Sequence, residues 1–235
     1  EHWTFVHTNT KFGGKHMKIS PTLTEVKEIA KTGKYDILPV SCEILSDFIT
    51  PIEAMRILQN VSTHCYLLES AQANEAWGRY TFLGYDPKLE INCIDGHMKL
   101  GKLSVETENP SEYIRQILSE YKSPKFDYLP SFTGGLVGYF SYDYLGYKEK
   151  SIRGKARDTE DFKDVDLMLF DKVIAFDNLC QKIILIANMS LDAPETGYNK
   201  AIVELKQLRE LLMHGEKKQN MGGKLLGDVT PLFEK

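Results

Sequence analysis

Cysteine is sparse in this chain, with four among 235 residues, at Cys42, Cys65, Cys93 and Cys180. None forms a C-x-x-C pair and none has a histidine at ligand spacing, so neither a zinc knuckle nor a disulfide framework is read from them. They read as small thiols of a protein kept in a reducing cytoplasm. Long apolar runs are absent too. No stretch of about 20 apolar residues is available to span a membrane as a helix, and no signal peptide with an apolar centre is read. Basic runs are lacking: the net charge is −4, and the only lysine pair with basic neighbours, Lys217-Lys218, sits in a polar tail, which argues against a nucleic-acid backbone binder. No Gly-x-Ser-x-Gly elbow, no Gly-x-x-x-x-Gly-Lys phosphate loop and no dinucleotide-binding glycine fingerprint occurs, and no internal repeat is present.

What remains is an ordinary globular composition, 42% hydrophobic and 26% charged, enough for one large domain. Residues 1–16 show no hydrophobic period and end near Gly13-Gly14, so they are read as an expression leader. On that reading His2, His7 and His16 are set aside as ligands. From Ser20 the pattern sharpens. Thr22 with Glu25 has capping-box spacing and predicts a helix over 22–32, ended by Gly33. Tyr35 to Leu45 reads as a strand, with Pro39 marking an edge or bulge. Thr50-Pro51 starts a second helix whose buried face is Ala54, Ile57, Leu58 and Val61.

A strand-rich block follows: 64–71, 79–85, and a hairpin of 89–94 with 97–103 around Asp95-Gly96. The spacing of Tyr113, Ile114, Ile117 and Leu118 predicts a helix over 110–121. Residues 132–147 read as a long strand or bent pair. Residues 148–163 read as a charged loop with a short helix near 158–162. Residues 165–176 and 181–189 form a second hairpin around Asp177-Asn178, and 193–213 form a long amphipathic helix. The tail 215–235 is read as a linker or disordered segment. The class is α+β, with antiparallel, sandwich-like sheets and helices packed outside.

Few residues carry chemistry on their own. His64, His97 and His214 lie on separate elements. Glu160-Asp161 and Asp164-Val165-Asp166 read as solvated turns rather than a cation site. Gly134, Gly135 and Gly138 do not open a helix, so they fit close strand packing better than a phosphate cradle. Glu69-Ser70 closes a short strand, and Arg79 returns about ten residues later to the same end of the sheet. A carboxylate and a hydroxyl there suit the ammonium of an amino acid, but a plain strand end with a surface charge pair explains them as well.

Several ordered motifs then resemble the N-terminal half of anthranilate synthase component I, of the chorismate-utilising enzymes. They are Ile37-Leu38-Pro39-Val40, Thr50-Pro51, Leu67-Leu68-Glu69-Ser70, Trp77 to Gly84, Gly134 to Asp143, and Asp166 to Phe170 with Val173 and Phe176-Asp177. The likeness runs from about Met17 to Asn188. It implies residues 17–214 as that family's N-terminal domain, ahead of a C-terminal chorismate-binding half whose motifs are not found here. It implies a parent lyase that makes anthranilate and pyruvate from chorismate and ammonia in tryptophan biosynthesis. It also implies a glutamine amidotransferase partner, and Mg²⁺ in the catalytic half only. No catalytic residue, cofactor or metal is assigned to this chain, which is expected to be inactive alone.

The resemblance places Leu68, Glu69 and Ser70 in the pocket that binds tryptophan as feedback inhibitor, with Arg79 as a basic position of the same pocket. Two alternatives stand beside it. One is aminodeoxychorismate synthase component I of folate synthesis. The other is a stand-alone tryptophan-sensing or interaction module.

Overall fold

Two reciprocal capping boxes set the first helices. The computed structural model describes residues 17–69, 78–149, 151 and 162–218, and the residues read as a leader and most of the tail lie outside them. Helix α1, Leu23–Lys31, and helix α2, Pro51–Val61, each begin with a threonine bonded to the N3 backbone and a glutamate reaching back, Thr22 with Glu25 and Thr50 with Glu53. Helix α3 is Pro110–Ser119 and α4 is Pro194–His214. Val61, expected on the buried face of α2, is 53% exposed at the helix's last position, leaving Ala54, Ile57 and Leu58 to carry the packing.

Eleven strands are described: β1 Ile19–Ser20, β2 Ile37–Leu45, β3 Cys65–Leu68, β4 Tyr80–Tyr85, β5 Leu89–Ile94, β6 His97–Leu100, β7 Leu103–Glu106, β8 Gly135–Phe140, β9 Val165–Phe170, β10 Lys172–Asp177 and β11 Lys182–Ser190. They form two antiparallel sheets, ordered β1-β2-β11-β10-β4-β3 and β7-β6-β5-β9-β8. The α+β reading therefore holds.

Three strand expectations are corrected. The run 165–176 is two strands in two different sheets: β9 pairs β5 and β8, and β10 pairs β4 and β11, with Asp171 at the switch. The hairpin arm expected to reach Leu103 stops at Leu100, and Gly101 at φ 58 turns the chain into β7. The aromatic run after Phe140 leaves the sheet as a 3₁₀ helix, Tyr142–Tyr147. Pro39 is tolerated inside β2 because β1 covers only Ser41 and Cys42, leaving the strand unpaired on that side at Pro39.

The main core lies between one face of the six-stranded sheet and α1, α2 and α4. Leu38, Val40, Leu83, Ile174, Leu185, Ile57 and Leu205 are buried together there. Val173, Ala175, Ile184 and Ile186 cover the opposite face, with Tyr80, Phe82, Leu129 and Phe132 packed on them. A separate core on the five-stranded sheet joins Ile91, Cys93, Met98, Val165 and Leu167 to Ile114 of α3. The segment expected to begin a free tail at Gly215 is instead held to α2 at its start. There Lys218 N–H donates to Arg56 O at 3.0 Å, Asn60 Nδ2 donates to Glu216 O at 2.7 Å, and Lys217 pairs with Glu53.

Candidate functional site

The end of the six-stranded sheet where β3 leaves and β4 enters gathers the predicted residues that can be described. In the antiparallel register Leu68 sits opposite Phe82 and Asp177 opposite Tyr80. Glu69, just past Leu68, and Arg79, just before Tyr80, therefore share this end with the β10–β11 turn. Leu68 is 45% exposed and Glu69 is exposed. Ser70 lies outside the described residues, so its place in this arrangement is not described.

Alternation on β3 sends Cys65 and Leu67 toward the helices and leaves Tyr66 and Leu68 on the other face. Aromatic rings crowd that face. Phe82 stands 5.6 Å from Phe132 and 5.8 Å from Tyr80, and Tyr66 stands 4.7 Å from Phe170, ring centre to ring centre. The half-exposed Leu68 therefore borders an aromatic surface rather than a polar one. Tyr66 stands opposite Gly84 in the register, where a Cβ would overlap its ring edge at Cε1.

Arg79 is held more firmly than its sequence position suggests. Its Nε and Nη2 donate to the two carboxylate oxygens of Asp177 at 3.0 and 2.7 Å, a bidentate pair. Its guanidinium also lies 4.9 Å from the centre of the Tyr80 ring. The Asp177 side chain is fully buried, whereas that of Arg79 is 36% exposed. Burial opposes the Asp177 charge, but the Arg79 hydrogen bond and the Cys180 N–H outweigh it and hold the carboxyl down at about 2. Backbone N–H groups of Leu179 and Cys180 donate to the same Asp177 oxygen, and Asn178 N–H donates to Arg79 O at 2.9 Å. Asp177 thus fixes both the guanidinium and the turn beside it. Phe176-Asp177 was legible as a matching motif, but nothing in the sequence marked Asp177 as the partner of Arg79, 98 residues away.

The acidic residues weighed as a cation site have other employment where they are described. Tyr147 Oη donates to Asp164 at 2.6 Å, Asp95 N–H donates to the same carboxylate oxygen, and Asp166 pairs with Lys163 at 2.9 Å. Glu160-Asp161 lie outside the described residues. A cavity of about 510 Å³ between Asp86–Lys88, Asp171–Lys172 and the start of α4 contains none of the predicted site residues. Two of its charge pairs, Lys172–Asp86 at 2.8 Å and Lys200–Glu204 at 3.8 Å, close on each other. No described helix is long and apolar enough to cross a membrane.

No protein-family model matches the chain. Curated relatives do. The chain is 34% identical over 198 residues to anthranilate synthase component 1 of Acetivibrio thermocellus, covering 82% of this chain and 39% of that protein. It is 36% identical over 186 residues to the same component of Pseudomonas aeruginosa, covering 76% of this chain and 37% of that one. Among solved structures, component I from Streptococcus pneumoniae TIGR4 matches at 25% identity and a TM-score of 0.46, covering 71% of this chain and 36% of that one. The chain thus spans under two fifths of the length of these relatives. By its sequence the chain is a homologue of the N-terminal portion of anthranilate synthase component I.

Proposed function

We propose that this chain supplies one wall of a tryptophan site in an anthranilate synthase component I, and that the whole enzyme aminates chorismate with ammonia from a glutamine amidotransferase subunit. One juxtaposition carries the reading: Leu68 and Glu69 close a strand beside Arg79, at the rim of the Tyr80–Phe82 aromatic surface. Each part of an aromatic amino acid finds a complement there. A carboxylate meets the exposed edge of Arg79, an ammonium meets Glu69, and an apolar ring meets Leu68 and the aromatic face. The reported relatives are anthranilate synthases, which favours tryptophan synthesis over the folate branch. Catalysis belongs to the portion of the enzyme that this chain does not match, and the chain by itself only binds and positions.

The test uses the whole enzyme that contains this segment. Leu68→Ala and Ser70→Phe each raise the tryptophan concentration for half-inhibition at least tenfold while leaving kcat for anthranilate formation within twofold. A tenfold change corresponds to about 1.4 kcal/mol, the scale of one lost contact. Unchanged inhibition in both variants removes this strand end from the site. The isolated chain, given chorismate, Mg²⁺ and ammonium, forms no fluorescent anthranilate, and turnover by it would overturn the division of labour.

A further inference from the structure

We propose that the groove between α1 and the turn at 126–128 is a docking site for a partner protein, which lays an arginine side chain against the Tyr128 ring and pairs it with Glu25 and Glu28. The inference does not rest on the tryptophan reading. Phe126 and Ile29 of this groove pack on the helix side of the six-stranded sheet, whereas Phe82 and Leu68 belong to its other face.

The groove encloses about 420 Å³, and its walls include Pro21, Thr24, Glu25, Glu28, Phe126 and Tyr128. The walls are fixed from behind. Phe126 packs on the main core beside Leu23 and Ile29 of α1. The Phe126 and Tyr128 rings stack, with centres 5.1 Å apart and planes 24° from parallel. The Pro21 carbonyl accepts from the buried Tyr198 Oη at 2.9 Å. Tyr128 is the outer ring of the stack and remains 45% exposed. A surface ordered in advance loses little entropy when a partner arrives.

The charge facing this plate is of one sign. Glu25 and Glu28 are three residues apart and share a side of α1. No Lys or Arg among the described residues lines the groove. Each carboxylate is only half employed. Thr22 donates its N–H and O–H to Glu25 Oε2 at 2.7 and 2.8 Å, and Lys31 Nζ donates to Glu28 Oε1 at 2.7 Å. The second oxygen of each carboxylate has no hydrogen-bond donor among the described residues. Burial, and after it the Glu25 charge, push the Tyr128 hydroxyl up to about 12, so a neutral phenol stands beside that carboxylate.

Charge complementarity selects the occupant. The site asks for a cation with a flat apolar face. A guanidinium stacks on an aromatic ring and sends five N–H groups outward in a plane, toward more than one carboxylate. An ammonium is a compact, strongly hydrated point that uses the ring less well. Exposed ion pairs alone are weak, so the ring is the half that makes the site selective. The cavity at Asp95, His97, Glu106 and Glu108 has carboxylates but no tyrosine, phenylalanine or tryptophan in its lining. Free arginine fits poorly, because its own carboxylate would meet two glutamates with no basic group to receive it. Within a polypeptide that charge is gone, so the arginine arrives as part of a protein segment.

The experiment titrates the full ¹⁵N-labelled chain with the peptide acetyl-Gly-Arg-Gly-amide and follows amide chemical shifts. Saturable binding is expected, with the shifts concentrated in 20–29 and 125–129. The same peptide with citrulline, an uncharged isostere, binds at least tenfold more weakly. The lysine peptide and free arginine each bind at least threefold more weakly. Tyr128→Leu weakens the arginine peptide at least fivefold and Glu28→Gln at least threefold, while Glu106→Gln leaves it unchanged. Glu28 is an exposed helix position, so Glu28→Gln decides the matter if Tyr128→Leu fails to fold.

Four results overturn the proposal. The first is no saturation by about 20 mM, well past the millimolar range of a weak single-site contact. The second is shifts centred on Asp95–Glu108, which reduce the effect to general attraction by acidic surface. The third is equal binding of the citrulline or lysine peptide, which removes the recognition of a guanidinium. The fourth is equal binding of free arginine, which makes the groove a small-molecule site rather than a docking surface.

Discussion

Replacing Asp177 by asparagine tests the strongest polar tie at the candidate site. The substitution keeps the shape and removes the charge that faces Arg79. Its cost is worked from the native carboxyl, held at about 2 instead of the ordinary 3.8. At about 1.4 kcal/mol per unit that difference amounts to roughly 2.5 kcal/mol. Arg79 is 36% exposed, and solvent screening on that side trims the figure to about 1.5–2 kcal/mol. Urea unfolding is the assay. With a slope of about 2–3 kcal/mol/M for a domain of this size, the midpoint of Asp177→Asn falls by roughly 0.5–1 M at pH 7.

The pH dependence supplies a second, independent check. The folded carboxyl is depressed relative to the unfolded one, so the unfolded state binds the proton first as pH falls. The stabilisation is therefore fully present above the ordinary value of 3.8 and is lost progressively toward about 2. The gap between wild type and Asp177→Asn stays constant from pH 7 to about 5 and narrows below 4. Equal midpoints at pH 7, or a gap that widens in acid, would refute the claim that the Arg79–Asp177 charge pair stabilises this end of the sheet.

Three further substitutions, one of them a control, probe the packing around the site and along β8. Gly138→Ala is expected to cost about 3 kcal/mol or more, because the new Cβ meets the Asp166 carbonyl at a left-handed φ of 153. Gly33→Ala is its control: φ is 61 with open space around the Cβ, so only the backbone strain of about 1 kcal/mol remains, and similar urea midpoints for the two would remove the steric argument. Tyr66→Phe is expected to leave stability unchanged or raise it by about 1 kcal/mol, since the buried Tyr66 hydroxyl has no hydrogen-bond partner among the described residues. A thermal-melt loss exceeding that amount would show that the hydroxyl has a partner in solution.

What the sequence revealed and what it hid divide along the range of the interaction. Local signals were legible because their partners lie within a few residues. Thr22 and Glu25 are three apart, as are Thr50 and Glu53, and Asp95-Gly96 places two left-handed residues, φ 48 and 84, where a hairpin needs them. The run Val165–Phe176 was misread for the opposite reason. Val165–Phe170 and Lys172–Asp177 are both rich in apolar residues, and the break at Asp171 between them is too short for the pattern to distinguish one long strand from two that part into different sheets. The 3₁₀ helix was hidden by its aromatics, which favour strands locally while the Tyr147–Asp164 bond pulls the chain out of the sheet.

The same division bears on the site. Leu68, Glu69, Ser70 and Arg79 were named through the resemblance, yet Arg79 is positioned by Asp177, whose distance along the chain no spacing rule spans. The sheet register that sets Asp177 opposite Tyr80 makes an exposed arginine into a fixed one. A guanidinium held on two of its nitrogens is a directional donor rather than a mobile charge. The tryptophan recognition proposed for this strand end therefore depends on Asp177 as well. Asp177→Asn in the whole enzyme is expected to weaken tryptophan inhibition by releasing Arg79, while Leu68→Ala weakens it by removing apolar contact. The two are separable because raising the ionic strength further weakens inhibition of the Leu68→Ala enzyme, whose fixed guanidinium remains, and has the smaller effect on Asp177→Asn.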